Sequence, residues 1–324
     1  MRDDADRAIR IAVDALGGTV DQGGRARVDV AIGPMTTYRV GGRAAVFVDI
    51  HRGADLQAVA AASRRSGLPV LAVGRGSNML VADRGFRGIA IGLVTLADEI
   101  DIDDERAVVR ASAGVSLPVL ARKTAAAGLT GFEWAVGVPG SIGGAVRMNA
   151  GGHGSDMAAS LIEVSLVDLA SSDAAERTVP AADLGLAFRS SDLGPSQVVL
   201  AARLRLAHGD RERAEREIGE IVRWRRANQP GGQNAGSVFV NPVPGEVSAG
   251  ALIDGAGLRG HRIGSAVVSD KHANFIQADE HGSADDVRAL MEYVRAGVEA
   301  HSGFRLRSEI QLVGFEPGSG HRDC

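Results

Sequence analysis

Seven of the eighteen residues in 137–154 are glycine, and the residues between them are not those of a flexible linker. Val138, Pro139, Ile142, Val146 and Met148 interleave with the glycines. Glycine loses the most freedom on ordering and gives no side chain to a core, so no regular element is expected here. Apolar residues among glycines suit a packed loop pressed against a flat ligand. A second cluster, Gly74-Arg75-Gly76-Ser77-Asn78-Met79, follows the apolar run 69–73. Its backbone amides, helped by Ser77 and Asn78, can cradle a phosphate. The dinucleotide fingerprint requires Gly or Ala where this chain has Met79, which disfavours a Rossmann domain. No Gly-Lys-Ser/Thr run occurs, so there is no P-loop. Two such loops in one half of the chain suggest a large ligand with a pyrophosphate and an apolar ring.

Around these loops the patterning predicts an α+β protein without internal repeats. A helix over 1–17, a strand at 46–50, a helix at 54–66 and a strand at 69–73 contain one β–α–β unit. Short strands follow at 89–93, 99–103 and 107–113, then a helix at 117–127. Long apolar strands are expected at 161–169 and 197–206, with one helical turn near 183–186. From residue 210 the character changes to a charged amphipathic helix, 210–227, with Ala214, Ile218, Ile221 and Val222 on one face. Strands at 238–240, 263–268 and 274–277 and a helix at 249–255 come next. The helix 283–301 has the clearest signature, with Ser283 as N-cap, a stripe of Val287, Leu290, Met291, Val294 and Val298, and Gly303 as terminator. A closing strand is expected over 304–313 and a disordered tail after Gly314. Boundaries are expected near 95 and 207–212.

Charge and cysteine narrow the function classes. Lys and Arg total 36 against 40 acidic residues, so no basic surplus marks a nucleic-acid binder. The single cysteine, Cys324, allows neither an internal disulfide nor a cysteine-based metal site, and no metal is expected. No apolar run approaches the ~18 residues of a membrane span, and the acidic start does not suit a signal peptide. Cytoplasmic location is the expectation.

Several motifs in order resemble one family. They are PVLAVGRGSNMLVADRGFRG at 69–88, the glycine-rich run 131–154, AGSVFVNP at 235–242, AGALIDGAGLRG at 249–260 and KHANFI at 271–276. Together they resemble the UDP-N-acetylenolpyruvoylglucosamine reductases, also called UDP-N-acetylmuramate dehydrogenases, from about Thr36 to Gly314. The resemblance implies a vanillyl-alcohol-oxidase/PCMH-like FAD-binding region of two subdomains plus a C-terminal α+β substrate domain. The expected divisions are an N-terminal extension at 1–30, FAD subdomains at 31–95 and 96–208, a substrate domain at 209–316 and a tail at 317–324. FAD would be bound without a covalent link, and NADPH would be the co-substrate. By this resemblance Gly74, Arg75, Gly76, Ser77, Asn78 and Met79 meet the cofactor from the first loop. Gly137, Val138, Pro139, Gly140, Ser141, Gly143, Gly144 and Asn149 meet it from the second, and Arg225 or Arg226 meets phosphate.

The implied reaction reduces the enolpyruvyl group of UDP-N-acetylglucosamine enolpyruvate to a D-lactyl ether, giving UDP-N-acetylmuramate. Hydride addition leaves an enolate-like carboxylate that must be stabilised and then protonated. A guanidinium can hold the developing charge, and a hydroxyl can deliver the proton. By motif match these are Arg189 and Ser237, with Glu309 as the carboxyl that positions the reacting group. Periodicity alone puts Glu309 with Arg307 and Gln311, opposite the face of Leu306, Ser308, Ile310 and Leu312. Asn241, Lys271, His272 and Asn274 are expected to line the substrate site. Three departures stand out. Val240 replaces a common lysine, Gln311 replaces a common basic residue, and Phe188 replaces a common tyrosine. No room exists between Leu206 and the helix at 210 for an extra substrate-capping loop, so the chain resembles the shorter subtype, and the family resemblance implies a monomer. The alternatives are a non-catalytic flavin- or UDP-sugar-binding paralogue and another FAD-linked oxidase of the same fold.

Overall fold

The computed structural model of the chain describes residues 2–93 and 99–316. The boundary expected near 95 and the tail expected at 317–324, with Cys324, lie outside the described residues. The chain forms two compact units. The first comprises Met1–Val28, Val46–Arg75 and Gly88–Gln229; the second comprises Asp29–Ala45, Gly76–Arg87 and Pro230–Cys324.

In the first unit, helix α1 (Arg2–Ala15) packs on helix α2 (Gly53–Ser66). Ala12, Leu56, Val59 and Ala60 bury between them and the sheet residues Val46, Val48, Ile89 and Ile91. The β–α–β expectation holds with one strand inserted: Phe86–Gly92 lies between Arg43–Asp49 and Val70–Val73. It pairs in parallel with the latter from Val70↔Ile89 to Val73↔Gly92.

A five-stranded antiparallel sheet forms the rest of this unit, in the order Glu176–Pro180, Leu161–Asp168, Gln197–Arg205, Val108–Ser112, Ile100–Asp103. Helices α3 (Leu117–Ala126), α4 (Ile142–Arg147) and α5 (Arg211–Asn228) complete its core. Helix α4 corrects the expectation of an irregular 137–154. Ile142 and Val146 are fully buried one turn apart, and that spacing outweighs the local glycine cost. Gly143 lets α4 lie against the neighbouring strand end, because a Cβ there would stand 2.9 Å from the Ala113 Cβ. Helix α5 has the expected face, but Ala214, Ile218 and Ile221 bury in the same core as Phe132 and Trp134. By packing it therefore belongs with the preceding strands, and the compact unit ends at Gln229.

The second unit centres on helix α6 (Ala249–Gly255), helix α7 (Ala284–Ser302) and three short antiparallel strands, Arg262–Ile263, Ala266–Val268 and Ile276–Ala278. The strand expected at 263–268 is a hairpin. Asp286 accepts both the Ser265 N–H and its hydroxyl at 2.7 Å, which holds the turn. Helix α7 follows its sequence closely: the Ser283 hydroxyl accepts the Asp286 N–H at 3.1 Å, and the apolar stripe is buried. The strand expected over 304–313 is short. Only Gln311–Val313 forms a ladder, in parallel with Met79–Val81. Upstream, one bridge between Phe239 and Ser308 is all that remains of the strands expected at 238–240 and 304–310.

Candidate functional site

A cavity of about 330 Å³ in the second unit gathers five of the expected residues: Ser237, Asn241, Lys271, His272 and Asn274. Its size is that of a small-molecule site. Asn241 Oδ1 accepts the Ala249 N–H at 3.0 Å and so ties the cavity wall to the start of α6. Asn274 is 3% exposed and holds the backbone of Phe239 with both ends of its amide. The cavity also contains Asp254 and Arg259, which were not among the expected site residues. Arg259 grips Asp254 with Nε and Nη2, at 2.5 and 3.1 Å, and donates from Nη1 to the Asp270 carbonyl at 2.8 Å. Both stand in the AGALIDGAGLRG run, where an acid near the end of a short helix and a cation five residues on were the available signal. With Lys271, the lining carries two cations against one carboxylate, a balance suited to an anion.

His272 is neutral in this setting. Its Nδ1 accepts the Asn274 N–H at 3.3 Å, and burial, followed by the charge of Arg259, holds its pKa below the ordinary 6.5. A lowered pKa means that the unfolded chain binds this proton more readily than the folded one. Stability contributed here is therefore full above about 6.5 and falls as acidification passes toward the lowered value. On acidification from neutral pH, wild-type protein should lose more stability than the His272→Gln variant. Equal losses in denaturation titrations at each pH would show that the ring is not desolvated.

Glu309 is half-buried, between exposed Arg307 and Gln311 in sequence and beside buried Leu306 and Ile310, as the alternation implies. Its N–H donates to the Val238 carbonyl at 2.8 Å, which puts the segments carrying Ser237 and Glu309 side by side. Asn78, expected at the cofactor, donates its side-chain amide to the Glu309 carbonyl at 2.9 Å. Of its neighbours, Met79 opens the strand paired with Gln311–Val313, Gly76 is buried and accepts the Thr37 N–H, and Ser77 is half-buried. Val240 is buried, with its N–H on the Arg307 carbonyl, so no cation replaces the family lysine at that position.

In the first unit the two glycine loops meet. A Cβ at Gly74 would stand 2.8 Å from the Ser141 hydroxyl, which would have to turn away to admit it. Arg75 is exposed. The Ile142 and Gly143 amides are spent on the carbonyls of Val115 and Ala113, at 2.9 and 3.0 Å, and the Gly140 carbonyl accepts the Leu117 N–H. Val138, half-buried, and exposed Pro139 and Gly144 remain at the surface of this loop. Gly137 lies against His153 and Ile221, either of which a Cβ would crowd to about 3 Å. Asn149 is buried: its amide nitrogen donates to the Ala187 carbonyl and Asp156, and its oxygen accepts the Ala158 N–H. This asparagine fastens the loop to the segment bearing Arg189. Burial pushes the Arg225 guanidinium below its ordinary pKa, and burial, followed by the Arg225 charge, lowers that of His153. Arg225 in the last turn of α5, close enough to His153 of the glycine-rich loop for its charge to act on it, would fit a phosphate-bearing cofactor such as FAD.

Arg189 occupies a tight turn in which Ala187 and Ser190 exchange backbone hydrogen bonds. Its φ is +58°, a left-handed conformation that non-glycine residues rarely adopt. Its Nη1 donates to the Gly151 carbonyl at 2.8 Å. Arg147, also not among the expected residues, braces the following turn by donating to the carbonyls of Leu193 and Gly194 at 3.0 Å each, and to that of Gln197. The Ser191 hydroxyl closes the link by donating to the Arg147 carbonyl at 2.7 Å.

Comparison with known proteins agrees with these features. Residues 44–174 match the family model of an FAD binding domain, and residues 228–313 match that of the UDP-N-acetylenolpyruvoylglucosamine reductase C-terminal domain. A reductase of that name from Heliobacterium modesticaldum is 42% identical over 87% of this chain and 89% of its own length. One from Synechococcus is 40% identical over 89% and 94%. The crystal structure of the Thermus caldophilus reductase superposes with a TM-score of 0.74 at 34% identity, covering 89% of this chain and 99% of that one. The α+β architecture with an FAD-binding region followed by a C-terminal domain of this family is thus the one the sequence implied. With this breadth of identity and both halves matched, the chain belongs to the UDP-N-acetylenolpyruvoylglucosamine reductase family.

Proposed function

We propose that Arg189, Ser237 and Glu309 carry the reduction of UDP-N-acetylglucosamine enolpyruvate to UDP-N-acetylmuramate, a step of peptidoglycan precursor synthesis. FAD, which the two glycine loops and Arg225 would hold, would supply the hydride chemistry that carries reducing equivalents from NADPH to the terminal carbon of the enolpyruvyl double bond. The Ser237 hydroxyl then gives its proton to the neighbouring carbon, so that H⁻ and H⁺ together saturate the double bond. The Arg189 guanidinium holds the carboxylate as negative charge builds on it, and Glu309 fixes its orientation. Lys271 and Arg259 take up diphosphate charge that Val240 and Gln311 do not meet.

The observation that supports this reading best is the cavity that collects Ser237, Asn241, Lys271, His272 and Asn274. On this reading the FAD-binding region extends through α5, and the substrate domain begins after it. The protein acts as a cytoplasmic monomer. No helix among the described residues is long and apolar enough to cross a membrane. Anaerobic titration tests the function. NADPH should bleach the flavin, and UDP-N-acetylglucosamine enolpyruvate should restore its oxidised spectrum without oxygen. Flavin that stays reduced after that addition would rule the reaction out.

A further inference from the structure

The backbone carrying Ser237 and Glu309 is thinly paired. One bridge joins the two segments, with the Glu309 N–H on the Val238 carbonyl at 2.8 Å and the Val240 N–H on the Arg307 carbonyl at 3.0 Å. Two hydrogen bonds are a weak constraint on register compared with a full ladder. Two asparagines supply what the ladder lacks. Asn78 donates Nδ2 to the Glu309 carbonyl at 2.9 Å, and its own carbonyl accepts the Gln311 N–H at 3.0 Å, so it brackets the segment just after Glu309. Asn274 accepts the Phe239 N–H on Oδ1 at 3.0 Å and donates Nδ2 to the Phe239 carbonyl at 2.8 Å. Its main-chain carbonyl takes the Val238 N–H at 2.9 Å. The Asn274 side chain thus acts as one more strand against the residues that follow Ser237. A carboxamide carries its donor and acceptor on separate atoms, so without charge it can meet a backbone N–H and C=O at once.

We infer that Asn78 and Asn274 are positioning residues for the proton-transfer half of the reaction. Asn78 fixes Glu309 and Asn274 fixes Ser237, each through the backbone; Asn274 stands in the cavity wall, but both ends of its amide are taken by Phe239 and leave its role there one of holding that wall. The inference rests on the roles proposed above for Ser237 and Glu309. It departs from the sequence reading, which gave Asn78 to the cofactor and Asn274 to the substrate.

Three variants test it. Asn78→Ala and Asn274→Ala should keep wild-type flavin content, flavin reduction by NADPH and substrate affinity, read as the spectral shift of bound flavin. Reoxidation by the enolpyruvyl substrate should slow about 10–100-fold, the size of effect that about 1 Å of misplacement produces. Loss of flavin from Asn78→Ala would overturn the inference. So would weakened substrate binding at an unchanged reoxidation rate in Asn274→Ala, or wild-type behaviour in either. Asn274→Asp guards against simple misfolding. The protonated acid keeps a donor for the Phe239 carbonyl and an acceptor for its N–H, whereas the carboxylate has no donor. Its reoxidation rate relative to wild type should therefore fall as pH rises through the titration of this buried acid. His272, whose Nδ1 faces the Asn274 N–H, and the charged cavity groups Lys271, Asp254 and Arg259 are common to both proteins, so the ratio removes their direct contribution. A ratio independent of pH would overturn the inference. Should wild type itself fail to reoxidise with this substrate, the functional reading fails instead, and the two failures are distinct.

Discussion

Replacing Ser237 by alanine is expected to leave flavin reduction by NADPH at its wild-type rate and to slow reoxidation by the enolpyruvyl substrate about 10²–10⁴-fold. That range is what a positioned general acid contributes. The separation of the two half-reactions carries the argument, because only the second needs a proton delivered to carbon. The substitution removes one oxygen from a half-buried residue, and the neighbouring backbone stays held by Asn274 and Glu309. Structural damage should be small. Anaerobic stopped-flow spectroscopy of each half-reaction gives both rates separately. If both stay normal, the proton comes from another group. If both collapse together, Ser237 supports the flavin site and is not a donor.

What could be read from the sequence depended on how far each signal reached along the chain. Helix α7 was legible in full because its information is local: cap, apolar stripe and terminating glycine lie within one stretch of about twenty residues. Helix α5 was legible as a helix but not in its allegiance. Its apolar face says that it packs, and only the fold shows that it packs on Phe132 and Trp134. The second glycine loop misled in one respect. Composition outweighed the Ile142–Val146 spacing, and a six-residue helix was missed. The closing strand erred the other way, since alternation over 304–313 predicted a ladder where one bridge and a three-residue parallel pair exist. The candidate residues themselves came from motif resemblance, and the second-unit cavity gathers most of those expected there. Asn78 and Asn274 show the limit of that method. A motif marks a residue as needed, but not whether its side chain faces a ligand or a backbone more than thirty positions away.

Arg189→Lys is expected to lower kcat/KM for the enolpyruvyl substrate about 10²–10³-fold, with the fold intact. Losing one well-placed donor to a developing oxyanion costs about 2.7–4 kcal/mol in comparable sites, which sets this scale. The turn explains why lysine cannot substitute. Arg189 holds a left-handed φ of +58°, and such conformations cost about 1–3 kcal/mol and persist where the surroundings impose them. Asn149 on the Ala187 carbonyl, the Ser190–Ala187 exchange and Arg147 on the next turn are those surroundings. They fix where the side chain starts, and the Nη1 bond to the Gly151 carbonyl fixes its direction. A planar fork can keep that bond and still present a second edge to a carboxylate. A single ammonium must divide itself between the two acceptors. Steady-state kinetics with NADPH oxidation as readout, beside an unchanged thermal unfolding midpoint, measures the effect. A lysine variant with near wild-type kcat/KM would mean that Arg189 supplies only charge, and the division of its planar fork between the Gly151 carbonyl and the carboxylate would have to be abandoned.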